Sequence, residues 1–112
     1  MRIQINSTSF SLTHADRSYI EKKISPLGRF LKRFEKYEEQ TLLLEIVRPS
    51  RHHTQGNGFV VSGTLSLGKK EIHIEQFAED FHIAVDLLSG RLRNDIQKHK
   101  EKIITKTIRE RR

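Results

Sequence analysis

The sequence contains no cysteine among its 112 residues. That absence excludes a disulfide framework, a thiolate metal site and a cysteine nucleophile. The chain also lacks an apolar run of about 18 residues, the length that a transmembrane helix requires. Its first residues, MRIQINSTSF, contain no apolar stretch of signal-peptide length. We therefore expect a cytoplasmic protein that does not associate with membranes.

Acidic residues are in the minority. The chain has 14 Asp and Glu against 21 Lys and Arg, which gives a net charge of +7 and a sequence pI of about 10.0. Such an excess of bases attracts polyanions and accelerates encounter with them. On charge alone, nucleic acid is the leading candidate partner, an anionic membrane surface is the next, and a merely solubilising surface charge is the third interpretation.

Apolar spacing predicts six elements in the order β-α-β-β-β-α. Period-two alternation indicates strands at 2–6, 41–48, 59–67 and 71–75, and helical spacing indicates helices from Thr13 to about 36 and from 79 onwards. Thr13 and Asp16 form a short capping box. Pro26 lies inside the first helix, so we expect a kink or break near Ser25. The segment 50–58 has the composition of a loop.

These elements predict an α+β sandwich. Each strand has one apolar face, so two amphipathic helices should pack side by side on one face of a four-stranded mixed sheet and leave the other face to solvent. The first two strands should be parallel and the later ones antiparallel. We expect one domain over 1–112, with a basic tail (105–112) that frays because no firm apolar stripe extends beyond Ile108.

Charges on the two helices are patterned. The last helix begins with acids and ends with bases, as the helix dipole favours, and Asp80 is interpreted as its N-terminal acid. Asp86 has no assigned role, although it could organise neighbouring bases. A cationic stripe lies about a quarter-turn from the apolar face of the last helix: Arg91, Lys98, Lys102 and Arg109. The first helix carries a second outward stripe: Lys22, Arg29, Arg33 and Lys36. Two such rows are suited to holding phosphates.

Signals for catalysis and metal binding are weak. His52 and His53 are adjacent on a loop and point in different directions, and no spaced ligand set accompanies them. His99 falls on the apolar face of the last helix, which predicts a residue at the edge of the core. Neither a phosphate-binding G-x-x-x-x-G-K-[ST] motif nor a G-x-S-x-G motif is present. We expect no enzyme activity, no cofactor, no metal site and no small-molecule substrate.

Two motifs resemble the ribosome hibernation-promoting factor family, also called the ribosome-associated inhibitor or sigma-54 modulation family. The first motif opens the first helix: Thr13, Arg17, Tyr19, Ile20 and Lys23. The second opens the last helix: Glu79, Asp80, Ala84, Val85 and Asp86. A basic continuation follows: Arg91, Leu92, Lys98 and Lys100. The chain departs from the family pattern at Phe81-His82, at Ser89-Gly90, and at Pro26 with Gly28.

The resemblance implies a small protein that binds the small ribosomal subunit and its ribosomal RNA when growth slows. Such a protein occupies the channel used by messenger and transfer RNA and suppresses translation. Long family members carry an added C-terminal dimerisation domain, whereas this sequence ends at Arg112, so we expect a short form that is monomeric off the ribosome. Whether it promotes or opposes ribosome pairing stays open.

Eight bases are the predicted ribosomal RNA contacts: Lys22, Lys23, Arg29, Arg33, Arg91, Lys98, Lys100 and Lys102. Each could instead be a solvated surface base. Three alternative functions remain at this point: a protein-interaction regulator of the sigma-54 modulation type, another RNA-binding module, and a small hydrolase. The hydrolase is the weakest of them because the sequence offers no nucleophile and no metal set.

Overall fold

The computed structural model describes residues 1–8, 11–35, 38–48 and 58–110, and it describes only the backbone of Arg33 and of 103–110. The elements are β1 (Arg2–Thr8), α1 (His14–Leu31), a 3-10 turn (Lys32–Phe34), β2 (Gln40–Val47), β3 (Phe59–Leu67), β4 (Lys70–Ala78) and α2 (Phe81–Glu110). The predicted order β-α-β-β-β-α is confirmed. The predicted loop at 50–58 lies outside the described residues except for Gly58.

The four strands form one mixed sheet in the order β1-β2-β3-β4. β1 is parallel to β2, with Ile3 opposite Leu42, and the two later pairings are antiparallel. Gly68 turns the chain between β3 and β4 with a φ of 62°, a left-handed conformation that favours glycine. The predicted topology is therefore confirmed.

The core lies between the sheet and the helix layer. Alternate residues of each strand point toward the helices, and α1 contributes Ile20, Ile24, Leu27 and Leu31 to the same cluster. The buried stripe of α2 recurs at helical spacing: Ala84, Val85, Leu88, Leu92 and Ile96. Both helices thus cover one face of the sheet, as predicted. None of the described helices is long and apolar enough to cross a membrane.

α1 begins as expected but does not break at its proline. The Thr13 hydroxyl accepts a hydrogen bond from the Asp16 amide at 3.0 Å, and the Asp16 carboxylate accepts one from the Thr13 amide at 3.1 Å. Of the predicted kink or break near Ser25, the break is wrong, because the α-helix continues through Pro26 to Leu31; the kink stays a prediction. Ile24 and Leu27 are buried on either side of Pro26. Core packing therefore holds the helical conformation at a residue that disfavours it locally.

α2 begins at a side-chain cap. The Ile83 amide donates a hydrogen bond to the Asp80 carboxylate at 3.1 Å, which confirms Asp80 as the N-terminal acid of this helix. Further along, His99 is buried at the edge of the core with its Nε2 3.3 Å from a carboxylate oxygen of Glu38. The backbone is helical through Glu110. The fraying expected for 105–112 stays a prediction.

Candidate nucleic-acid interface

The sides of α1 and α2 that face each other form a groove on the outer surface of the helix layer, which we call the interhelical groove. The helices run in the same direction, because Tyr19 near the start of α1 contacts Asp86 near the start of α2, and Phe30 further along contacts Lys100. The described side chains of the groove come from both helices: Tyr19, Lys23, Pro26, Arg29, Phe30, His82, Asp86, Arg93 and Lys100.

The first half of the groove is a polar cluster that joins the two helices. The Tyr19 hydroxyl donates a hydrogen bond of 2.6 Å to Asp86 Oδ1. Lys23 Nζ lies 3.4 Å from the same oxygen. The His82 ring stacks on the Tyr19 ring with centroids 4.0 Å apart and planes 21° from parallel. Asp86, unassigned from the sequence, thus organises one base of α1 and one aromatic hydroxyl.

This cluster changes the acidity of its members. The hydrogen bond from Tyr19 lowers the pKa of Asp86, the attraction of the Lys23 ammonium acts in the same direction, and partial loss of solvent opposes both. The same hydrogen bond, followed by loss of solvent and the negative charge of Asp86, raises the pKa of Tyr19 to about 12. At neutral pH the pair is therefore a neutral hydroxyl and an ionised carboxylate.

The second half of the groove is cationic. Arg29 and Arg93 face a cavity of 330 Å³ together with Pro26, Leu27 and Phe30. Lys100 Nζ lies over the Phe30 ring, 3.7 Å from its centroid, and 5.8 Å from the centroid of Phe34. A cation in this position is attracted to the ring face, which holds the ammonium between the helices. Three bases from two helices thus share one surface.

The structure brings three of the eight predicted contact residues into the groove: Lys23, Arg29 and Lys100. Lys22 is exposed on α1. Arg33 lies in the 3-10 turn that follows α1, and its side chain is outside the described atoms, as are Lys36 and the side chain of Arg109. The first predicted stripe is therefore represented in the structure by Lys22 and Arg29.

Arg91, the first residue of the stripe predicted on α2, is exposed and lies beside β4. Its guanidinium donates hydrogen bonds to the Glu75 carbonyl at 2.8 Å and to the Gln76 side chain at 3.2 Å, so it turns toward β4. Lys98 and Lys102 are exposed and follow Arg91 at helical spacing. We call these three residues the β4 flank of α2. A different row of α2 residues faces α1.

Arg93 was missed from the sequence, although the chain contains a signal for it. Asp86, Arg93 and Lys100 recur every seven residues, which places them on one side of α2. The side chains of Asp86 and Lys100 contact α1, and Arg93 shares a cavity with it. The sequence alone did not indicate which flank of α2 would meet α1.

The opposite surface of the molecule has a different charge. Strand residues that alternate with the buried ones point away from the helices, and they include Glu45, Glu71 and Glu75, with Arg2 as a base. On this open face the Thr64 hydroxyl is 2.8 Å from His73 Nδ1. The helix layer therefore carries the clustered bases, whereas glutamates predominate among the charged strand residues of the open face.

The described residues contain no group of three or more His, Cys, Asp or Glu that could hold a metal ion. Asp86 is engaged by Tyr19 and Lys23. A second cavity of 250 Å³ has a lining of mixed charge: Met1, Arg2, Glu35, Glu38, Glu39, Gln40 and Thr41. The amino group of Met1 is 2.6 Å from Glu35.

Comparison with known proteins gives a consistent result. Residues 3–104 match the model of the family described as Sigma 54 modulation protein / S30EA ribosomal protein. The chain is 28% identical over 104 residues to a ribosome hibernation promoting factor of Azotobacter vinelandii, an alignment that covers 93% of this chain and 87% of that protein.

Solved structures share the fold. The N-terminal domain of Thermus thermophilus Protein Y superposes with a TM-score of 0.70 at 19% identity, covering 88% of this chain and 99% of that domain. A ribosomal subunit interface protein from Coxiella burnetii gives a TM-score of 0.67 at 20% identity, covering 90% of this chain and 99% of the other. At these identities the likeness concerns the architecture.

Proposed function

The chain belongs to the Sigma 54 modulation protein / S30EA ribosomal protein family, and we propose that it is a ribosome-binding hibernation factor. In this proposal it binds ribosomal RNA of the small subunit through the helix layer and occupies the channel of messenger and transfer RNA. It acts as a translation inhibitor, without a cofactor and without catalysis.

One observation carries the proposal: bases from both helices converge on the interhelical groove. Lys23 and Arg29 of α1 lie beside Arg93 and Lys100 of α2. A surface with cations on two parallel ridges follows a folded RNA backbone better than a single row does. Structured RNA is recognised mainly by shape and by contacts to phosphates and hydroxyls, so the surface needs few base-specific groups.

The predicted contact set keeps its eight members and gains Arg93. Lys22, Lys98 and Lys102 are exposed and available to phosphates around the groove. Lys23 is shared between Asp86 and any incoming phosphate, because its ammonium is 3.4 Å from that carboxylate while its side chain is 41% exposed. Arg91 would contact RNA only where the RNA also approaches β4. Inhibition then follows from steric occlusion.

Sedimentation over a salt series tests this function. The purified protein is mixed with ribosomes and with separated subunits, and the pelleted fraction is measured at increasing salt. We expect near-stoichiometric pelleting with the small subunit at low salt. Its affinity should fall steeply, on the order of a thousandfold between low and moderate salt for about six phosphate contacts, because the counterions that binding releases gain less entropy at higher salt.

The same experiment separates the alternatives. Absence of pelleting at low salt would overturn the proposal. A complex that resists both salt and nuclease would instead indicate a protein-interaction regulator. A separate RNA-cleavage assay tests the hydrolase. Turnover of RNA that disappears in an Asp86→Asn variant would support that alternative.

A further inference from the structure

We propose that the cavity between α1 and α2, at Pro26, Arg29, Phe30 and Arg93, binds a single unstacked nucleotide of an RNA strand. The two guanidiniums would hold its phosphate, and Pro26 would contact its base. This inference rests on the proposed function for the source of the RNA, and it assigns to one part of the groove a ligand more specific than a phosphate backbone.

The charges of the cavity fit a phosphate. Arg29 comes from α1 and Arg93 from α2, and both side chains are exposed. Neither guanidinium forms an ion pair with a carboxylate in the part of the chain that the structure describes. A guanidinium presents a planar fork of donors that matches phosphate oxygens in a bidentate manner. Lys100, over the adjacent Phe30 ring, adds a third positive charge.

The remaining lining fits a base rather than a second phosphate. Pro26, Leu27 and Phe30 give the cavity an apolar side, which a bare RNA backbone does not require. The volume of 330 Å³ is near the lower end of the range of about 300–1,000 Å³ for small-molecule sites. Unstacked RNA bases are commonly held against apolar rings and against guanidinium planes.

The position of Lys100 determines which surface is left for the base. Its ammonium is only 3.7 Å from the centroid of Phe30 and so occupies one face of that ring. The exposed ring of Pro26 and the planes of Arg29 and Arg93 are the available stacking surfaces. Pro26, which is unfavourable for α1 as a helix residue, would thereby have a binding role.

Three small probes separate the contributions. The ¹⁵N-labelled protein is titrated at low salt with adenosine 5′-monophosphate, ribose 5-phosphate and adenosine, and amide shifts are followed by NMR. We expect the nucleotide to bind most tightly, with the largest shifts at 27–30 and at Arg93. Equal affinity for ribose 5-phosphate would reduce the cavity to an anion site and overturn the proposal, as would the absence of nucleotide binding.

Variants test the two parts of the cavity. Arg93→Gln should weaken nucleotide binding about tenfold, the effect of removing a charge-assisted hydrogen bond. Arg2→Gln is the matched control, with the same substitution and charge change at an exposed residue on the open sheet face, and it should leave the affinity unchanged. Pro26→Ala favours the helix and so should fold; it should weaken nucleotide binding about threefold because it removes apolar surface from the cavity. Ribose 5-phosphate binding should not change in Pro26→Ala.

The outcomes for this cavity and for the proposed function are distinguishable. If the protein pellets with ribosomes but binds no nucleotide, the cavity proposal fails and the hibernation function stands. If it binds the nucleotide but does not pellet with ribosomes, the hibernation function fails and the cavity proposal stands. Equal nucleotide affinities for the Arg93→Gln and Arg2→Gln proteins would place the binding elsewhere and overturn the assignment.

Discussion

Tyr19 and Asp86 show how two separate sequence motifs become one structural unit. Each residue belongs to one of the motifs that open the two helices, 67 positions apart, and their side chains share a hydrogen bond of 2.6 Å. The bond fixes the start of α1 against the start of α2, upstream of the cationic half of the interhelical groove. The two residues therefore connect the two helices at the start of the interhelical groove.

We predict that Tyr19→Phe raises the pKa of Asp86 toward its usual value and makes the protein less dependent on pH. The pKa of Asp86 is lowered in the fold, so its ionised form stabilises the fold above the unfolded pKa, and this stability is lost as the pH falls through the folded value. With the pKa of Tyr19 raised to about 12, the corresponding alkaline loss occurs as the pH rises through that value.

Carboxyl titration by NMR and urea unfolding at neutral and acidic pH measure these effects. The difference in the free energy of unfolding between Tyr19→Phe and wild type should be small, because the Asp86 side chain is 45% exposed and solvent screens it. It should shrink further in acid. Thr64→Val, which removes a hydroxyl on the open sheet face, is the control. An unchanged Asp86 pKa in Tyr19→Phe would contradict the prediction.

At the scale of the element, α2 contains one residue that opposes its own helix. Gly90 is exposed within the helix, and a Cβ built on it meets nothing within 4 Å. Glycine costs a helix interior about 0.5–1 kcal/mol relative to alanine. We therefore predict that Gly90→Ala raises the free energy of unfolding by about that amount, measured by urea denaturation.

Gly68→Ala is the contrasting variant. Gly68 has a φ of 62°, and a Cβ there would lie 3.3 Å from that of Glu38. The Gly68→Ala substitution should lower the free energy of unfolding by about 1 kcal/mol or more, because a residue with a side chain is strained in this left-handed conformation. A Gly90→Ala protein no more stable than wild type would contradict the prediction for α2.

Most of the elements were predictable because each has a strong period and a local signal at its start. Thr13 with Asp16 marked α1, and Asp80 marked α2, before any packing was known. The break near Ser25 was predicted from the low helix propensity of Pro26 alone. It does not occur, because Ile24 and Leu27 on either side are buried in the core. Strand ends moved by a few residues, as with β1, which extends to Thr8.

The site was less predictable than the fold, since it depends on how two helices are rotated against each other. The bases predicted a quarter-turn from the apolar face do share one side of α2. That side borders β4, where Arg91 donates hydrogen bonds to Glu75 and Gln76. Spacing of seven residues also linked Asp86, Arg93 and Lys100. Only the tertiary contacts of Tyr19 and Phe30 show that this second row faces α1.

At the scale of the whole molecule, we expect the distribution of charge to affect RNA binding more than the net charge does. The helix layer carries the clustered bases, whereas the open sheet face carries Glu45, Glu71 and Glu75. If RNA approaches the helix layer only, replacing a base there leaves one phosphate unbound. Replacing an acid on the far face changes the net charge but leaves every bound phosphate in place, and distant charges are screened beyond about 10 Å in salt.

We therefore predict different behaviour for two matched double variants in the ribosome sedimentation assay. Lys98→Gln with Lys102→Gln removes two positive charges from the helix layer. It should lower the affinity and flatten the plot of log affinity against log salt by about one unit for each phosphate that the variant no longer binds. Glu45→Gln with Glu75→Gln changes the net charge by the same amount in the opposite direction and should leave that slope unchanged. A gain in affinity for the glutamate pair as large as the decrease for the lysine pair would show that net charge alone governs binding, and the oriented docking of the helix layer would be excluded.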